Sequence, residues 1–384
     1  MLTQFFSETR GGGEHVFKLL ANSLAKNNHK IWIITNKIKE ERYNSQENLN
    51  IIFVRPTLSY SGKPPSFSDN VRYCINTIRE GLKIIKKERI DVIHSNNFAP
   101  ALSGAILSSI TSKPHILTVH DVFSLCGSNY RKMWGAQADV SKINAILTPL
   151  FEKLIIRSKH DCIHTVSEAT KDDLIQLGAK KPIHVIHNII GRHLQKQESK
   201  TNSFEFVYIG RLVFYKNLEV AIKAINIARK SEPHIKLVIA GDGPHRHSLE
   251  ELTKTLGLEQ NIEFRGYVNS DEKTRLLASS CGLVFPSLCE GFGIVILEAF
   301  DQSKPVLVSN VRPMSDIVSD GKNGFVLDPH DENQWADYLL RIKKNSQEAS
   351  EMGKNGNRLL ATSYTEELMY QKIMKMYQNV LNKN

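Results

Sequence analysis

Short apolar runs alternate with longer amphipathic stretches along most of this chain. In the first half the runs fall at 2–6, 31–35, 51–54, 91–94, 115–119, 162–166 and 184–186, rich in Ile, Val and Leu. Helical stretches separate most of them. This rhythm predicts a mostly parallel sheet with helices on both faces. The polar segment 191–203, crowded with Gln, Lys, Glu, Ser, Thr and Asn, reads as an interdomain linker. The rhythm then restarts, with strands at 206–209, 235–240, 262–264, 283–285, 306–308 and 325–327 and helices near 218–230, 246–256, 271–279 and 334–343. We therefore expect an α/β chain of two doubly wound domains, 1–190 and 191–363, facing a cleft. The helical stretch 364–384 is expected to pack back on the first domain. The run 2–6 is short for a buried first strand, so the natural chain is expected to begin several residues upstream.

Composition narrows the class. A length of 384 residues suits two domains, and 41% hydrophobic with 23% charged residues is a globular balance that excludes disordered and fibrous classes. No apolar run approaches the ~18 residues of a membrane span, and no secretory signal opens the chain. The five cysteines (Cys74, Cys126, Cys162, Cys281, Cys289) are odd in number and lack metal-ligand spacing, which points to a reducing cytoplasm. The formal charge of +10 is uneven: residues 1–190 hold 25 Lys/Arg against 16 Asp/Glu, and 191–384 hold 25 against 24. Such asymmetry fits an anionic partner, and peripheral contact with the inner face of the cell membrane is expected. Lys83, Lys86, Lys87 and Arg89 form one basic cluster, which also suits a helix C-terminus on dipole grounds. Arg131 and Lys132 beside Trp134 form a second, read as a membrane or acceptor contact.

The chemistry concentrates at predicted strand ends, where open α/β sheets bind ligands. After the strand 283–285, Glu290 precedes a turn through Gly291, Phe292 and Gly293, and Ile294 opens an apolar helix that carries Glu298. The glycines permit close approach to the backbone, first-turn N–H groups suit an anion, and carboxylates accept from vicinal hydroxyls of a ribose or hexose. The same residues also suit a plain turn followed by a solvated Glu298. Gly210 and Arg211 end one strand, and Lys216 with Asn217 opens the next helix; two cations five residues apart can clamp a diphosphate and neutralise it as it leaves. Gly11, Gly12 and Gly13 lie between the first strand and a helix, in the manner of phosphate-binding turns. Gly241 sits in a glycine turn that suits the nucleotide base or simply a turn. His120 and Asp121 follow the strand 115–119, where an imidazole can bond a sugar hydroxyl and Asp121 can orient it or meet the acceptor. His94, His164, His184 and His187 are read as structural, and Ser167 as a helix N-cap. No Asp-x-Asp pair is present, so no metal and no cofactor are expected.

With these residues in place the chain resembles the retaining glycosyltransferases of family 4, with the GT-B fold of two Rossmann-like domains. The marks are Gly11-Gly12-Gly13-Glu14, His120-Asp121, Gly210-Arg211 with Lys216-Asn217, Gly241-Asp242-Gly243-Pro244, and Glu290 to Glu298. The resemblance implies that Glu298 binds the ribose, and that Glu290 and the backbone of Phe292, Gly293 and Ile294 hold the donor sugar. Arg211 and Lys216 would grip the diphosphate, Gly12 and Gly13 would close on it, and His120 would lie near the transferred sugar. It further implies metal-independent transfer with retention from a UDP- or GDP-sugar. The expected acceptor is a lipid-linked or other anionic glycan, and nucleic acid is not expected as a partner. A sugar-nucleotide epimerase of related architecture is the enzymatic alternative. A non-catalytic basic membrane-binding protein is the alternative from another class.

Overall fold

The computed structural model describes residues 1–7, 12–39, 43, 46–58, 65–122, 142–191 and 204–383. Its chain divides into two units, Met1–Ile189 together with Glu366–Asn384, and Ile190–Thr365. Arg131, Lys132 and Trp134 lie outside the described residues, as do Gly11 and the linker residues 192–203.

In the first unit the apolar runs become β1 (Ile31–Ile38), β2 (Leu49–Leu58), β3 (Ile93–Asn96), β4 (His115–Val119), β5 (Cys162–Thr165) and β6 (Ile183–Val185). β1 pairs with β2, and β3 to β6 pair in sequence, all parallel. Every residue of β3, β4 and β5 is buried, as two-sided helical cover of a parallel sheet requires. In the expected strand at 2–6, Leu2 bridges Ile34 of β1 and Ser95 of β3 and so joins the two groups of strands. Backbone bonding continues past it: the Thr3 N–H donates to the Ile34 carbonyl at 3.2 Å and the Asn36 N–H to the Gln4 carbonyl at 3.3 Å. The helices of this part are α1 (Gly12–Lys26), α2 (Phe67–Lys87), α3 (Phe98–Thr111), α4 (Lys142–Ile156) and α5 (Glu168–Gln176). Ser66 and Asp69 form a capping box at the start of α2, and the Ser167 hydroxyl accepts from the Thr170 N–H to cap α5.

The C-terminal helix, Glu366–Leu381, also belongs to this unit. Met369, Ile373, Met376 and Val380 recur at helical spacing and pack with Phe17, Leu20, Ala21 and Leu24 of α1. A buried polar chain runs behind them. Because the Ile186 carbonyl can only accept, His164 Nε2 donates to it (3.2 Å), so Thr118 donates to His164 Nδ1 (2.9 Å). Thr118 Oγ1 then accepts from His94 Nε2 (2.6 Å), and the Tyr377 hydroxyl donates to His94 Nδ1 (2.7 Å). Each member is satisfied as a neutral species. Burial accordingly holds His94 well below, and His164 down at about 4 from, the ordinary imidazole value.

The second unit carries β7 (Glu205–Ile209), β8 (Lys236–Ala240), β9 (Ile262–Gly266), β10 (Gly282–Phe285), β11 (Val306–Ser309) and β12 (Gly324–Leu327). Between and after them lie α6 (Leu218–Ala228), α7 (Arg246–Thr255), α8 (Ser270–Ser279), α9 (Ile294–Asp301), α10 (Met314–Ile317), α11 (Glu332–Lys344) and α12 (Ser346–Ser363). The parallel sheet runs β12-β11-β10-β7-β8-β9. From β7 the strands advance to one side through β8 and β9, then jump back so that β10 lies on the other side of β7. That reversal is the topological switch point, the place where open α/β sheets bind ligands. Among the described residues no helix is long and apolar enough to cross a membrane.

Candidate active site

The loops after β7 and β10 in the second unit bring most of the sequence-selected charged groups together. Gly210 and Arg211 leave β7, and the chain then makes a 3-10 turn, Phe214–Lys216. Asn217 follows with φ 54°, a left-handed conformation that Asn tolerates, and its side-chain amide donates to the Pro329 carbonyl at 2.7 Å. The bent loop aims Lys216 at the segment after β10, where it forms an ion pair with Glu290. The Leu288 N–H donates to the Tyr215 carbonyl at 2.8 Å and pins the two loops to each other. Ser287, fully buried, donates to the same Glu290 oxygen at 2.9 Å. The side chains of Lys216 and Glu290 are only 12% and 13% exposed. The ammonium also lies 5.2 Å from the centre of the Phe285 ring and 5.3 Å from that of Tyr215. Lys216 is therefore held as half of a shielded charge pair and not as a free cation beside Arg211. Arg211 itself is exposed, and among the described residues its guanidinium has no ion-pair partner. Its carbonyl accepts from the Tyr208 hydroxyl at 3.0 Å. Burial, and then the Glu290 carboxylate, push that phenol well above its ordinary range, so Tyr208 stays a neutral donor.

The turn after Glu290 is shaped by Gly293. Its φ of +90° lies in the left-handed region, and it caps α9, whose first residue is Ile294. Phe292 is buried against Tyr364, ring centres 6.0 Å apart. One turn into α9, Glu298 forms an ion pair with Lys273 of α8. The two carboxylates are thus each neutralised by a lysine, a different one in each case. Gly241, at φ +146°, follows β8; a Cβ there would run into the Gly210 carbonyl, so the residue keeps the ends of β7 and β8 close.

In the first unit the carboxyl ends of β3 and β4 assemble a second group. His120 follows β4 and is 7% exposed. Its Nε2 lies 2.9 Å from Asn96 Oδ1, and the Asn96 amide donates its own N–H to Thr3 Oγ1 at 3.4 Å. The proton is therefore on Nε2. Nδ1 is left as a lone-pair acceptor, buried and, among the described residues, without a hydrogen-bond partner. Burial lowers this imidazole to about 3, so it is neutral at physiological pH. Gly13, in the first turn of α1 after Gly12, lies against the ring: a Cβ there would come within 2.8 Å of His120 Cδ2. Asp121 follows, half-buried.

Several participants escaped the sequence reading. Lys273 lies 25 residues from Glu298, and Asn96 lies 24 residues from His120, separations that no local spacing rule reports. Ser287, three residues before Glu290, offered a local signal. Cys74, Cys162 and Cys281 are free thiols.

Comparison with known proteins bears on both units. The family model described as Glycosyltransferase Family 4 matches residues 10–191, and the one described as Glycosyl transferases group 1 matches residues 190–359. An uncharacterized glycosyltransferase of Methanocaldococcus jannaschii is 30% identical over 311 residues, spanning 81% of each chain. The poly(ribitol-phosphate) alpha-N-acetylglucosaminyltransferase of Staphylococcus aureus is 25% identical over 229 residues, 59% of this chain and 46% of that one. Among solved structures, sucrose-phosphate synthase from Thermosynechococcus elongatus matches with a TM-score of 0.79 at 18% identity, over 97% of this chain and 94% of that one. The Anabaena protein HepE, solved with UDP-glucose, matches with a TM-score of 0.74 at 18% identity, over 98% of both chains.

Proposed function

Since the chain belongs to glycosyltransferase family 4 and has the GT-B fold, we propose that it transfers a hexosyl unit, with retention and without a metal, from a UDP- or GDP-sugar to a hydroxyl of a lipid-linked or other anionic glycan. The observation that carries this reading is the Lys216–Glu290 pair beside the exposed Arg211 at the switch point of the second unit. A diphosphate brought to that edge meets one unpaired guanidinium and one ammonium whose counter-ion is a hydroxyl acceptor. The donor's phosphates compete for Lys216 while its sugar hydroxyls donate to Glu290, so one ligand satisfies both halves of the pair. Glu298 would accept from the ribose hydroxyls in the same way. The UDP-glucose held by HepE makes a uridine donor the first to test.

In the proposed reaction the bond between the anomeric carbon and the diphosphate oxygen breaks with its electron pair going to phosphate. Arg211 and Lys216 stabilise that developing charge. The acceptor oxygen bonds to the same face of the carbon and its proton passes to the departing phosphate oxygen, which retains configuration. Neutral His120 would position a sugar hydroxyl through Nδ1. The named relatives are transferases, which favours transfer to an acceptor over the epimerase alternative.

The test is a thermal-shift screen of UDP-, GDP- and ADP-sugars, because a donor that binds only the folded chain raises its Tm. One donor class is expected to raise Tm in the parent and not in Glu298→Ala. If no donor shifts the parent, or Glu298→Ala responds like the parent, the assignment of this site is wrong.

A further inference from the structure

The helix α2 carries an outward face that the fold leaves unused. Its inward side is set by Tyr73, Thr77, Gly81 and Ile84, all buried against the first unit's core. At 100° per residue, Val71, Ile75, Arg79 and Lys86 fall within about 80° of arc on the opposite side, with Arg72 at its margin and with Leu82, half-buried against the core, also inside it. Val71 and Ile75 are 40% and 61% exposed, and Phe67, in the first turn about 40° beside the arc, is 78% exposed. Arg72, Arg79 and Lys86 are exposed and unpaired among the described residues, whereas the neighbouring Lys83 is paired with Glu80 at 2.8 Å. The acidic residues of the helix, Asp69 and Glu80, lie on its flanks, with Asp69 engaged by Ser66 in the capping box. Apolar side chains thus occupy the first half of the face and uncompensated cations the second.

We propose that this face of α2 docks the protein on an anionic phospholipid surface. Charge complementarity selects the occupant. A nucleic acid would use the cations but give Phe67 and Ile75 no apolar environment, and a second copy would bring the same unpaired cations together. A lipid surface satisfies both halves: the apolar side chains enter the headgroup boundary while Arg and Lys stems extend along it to reach phosphate. The inference deepens the proposed lipid-linked acceptor by naming where the enzyme meets the membrane that holds it.

Vesicle co-sedimentation of the full chain tests it, with phosphatidylglycerol-containing and pure phosphatidylcholine vesicles and no donor or acceptor present. The parent is expected to partition onto the anionic vesicles alone. Arg79→Gln with Lys86→Gln should lower partitioning about thirtyfold, the equivalent of ~1 kcal/mol for each cation removed. Ile75→Ser should lower it about tenfold, and because the site is exposed this variant folds even where the double variant does not. Donor thermal shifts should match the parent in all variants, which separates loss of docking from loss of the donor site. Equal binding to both vesicle types, or variants within twofold of the parent, overturns the proposal. So does an oligomer in sedimentation velocity that the same substitutions dissolve, since a second copy would then be the occupant. A failed donor screen would leave the vesicle result fully readable.

Discussion

Acid should unfold the first unit well before a carboxylate-driven transition. His115 and His164 are lowered to about 4 and His120 to about 3, each chiefly by burial, against an ordinary 6.5. A histidine depressed in the fold contributes stability that is complete above its unfolded pKa and is lost as pH falls toward its folded one. The window here is therefore pH 6.5 down to about 4. At pH 5 the unfolded chain takes up each of these protons readily while the fold resists, a difference of about 2 kcal/mol per imidazole. Three of them amount to roughly 6 kcal/mol, close to the whole stability of an ordinary domain. Converted at a few degrees per kcal/mol, Tm should fall by about 15–20 °C between pH 7 and pH 5. The assay is thermal unfolding followed by circular dichroism across that range, with hydrogen exchange used to assign the loss to the first unit. Thr118→Val supplies an independent check, because it strips His164 Nδ1 of its donor and His94 Nε2 of its acceptor while keeping side-chain shape. It should cost about 2–4 kcal/mol at neutral pH and loosen the C-terminal helix first. A first-unit Tm constant within about 3 °C from pH 7 to 5 would refute the reasoning.

Three further outcomes follow from the two clusters. Lys216→Met strands the largely buried Glu290 carboxylate and should destabilise the second unit by about 3 kcal/mol, whereas adding Glu290→Gln should recover most of that, as chemical denaturation in a double-mutant cycle will show. Lys273→Met removes the partner that orients Glu298; steady-state kinetics should show donor KM rising about fivefold with kcat nearly unchanged, and Lys273→Arg restoring it. Gly13→Ala pushes a methyl against the His120 ring and should lower kcat by about tenfold or more, while the donor thermal shift persists because the charged pairs of the second unit are untouched.

The pattern of apolar runs was enough to find the strands, because a parallel strand buried on both faces is rich in apolar residues, as Leu117 and Val119 in β4 and Leu283 and Val284 in β10 show, even where hydrogen-bonded polar residues such as Thr118 share the strand. It missed α12, where Gly353 and Gly356 weaken helix propensity; the structure uses Gly356 to admit the Phe300 ring of α9, a reason that exists only after packing. It placed a strand at 2–6, where Leu2 bridges both neighbouring strands and backbone bonds to β1 run on to Gln4. The site divides along the same line. Glu290, Glu298, Arg211 and His120 were legible as chemistry at predicted strand ends, but their partners were not. Lys216 and Glu290 are 74 residues apart and meet only because the sheet order reverses between β7 and β10. Periodicity reveals that a strand exists and says nothing of its neighbour. Lys216 consequently reads from the chain as a diphosphate clamp paired with nearby Arg211, whereas the folded chain gives it a carboxylate to hold. In the proposed site a donor would therefore displace one charge interaction at Lys216 while making another. Donor affinity should depend as much on how well sugar hydroxyls replace the lysine at Glu290 as on how well phosphate replaces the carboxylate at Lys216.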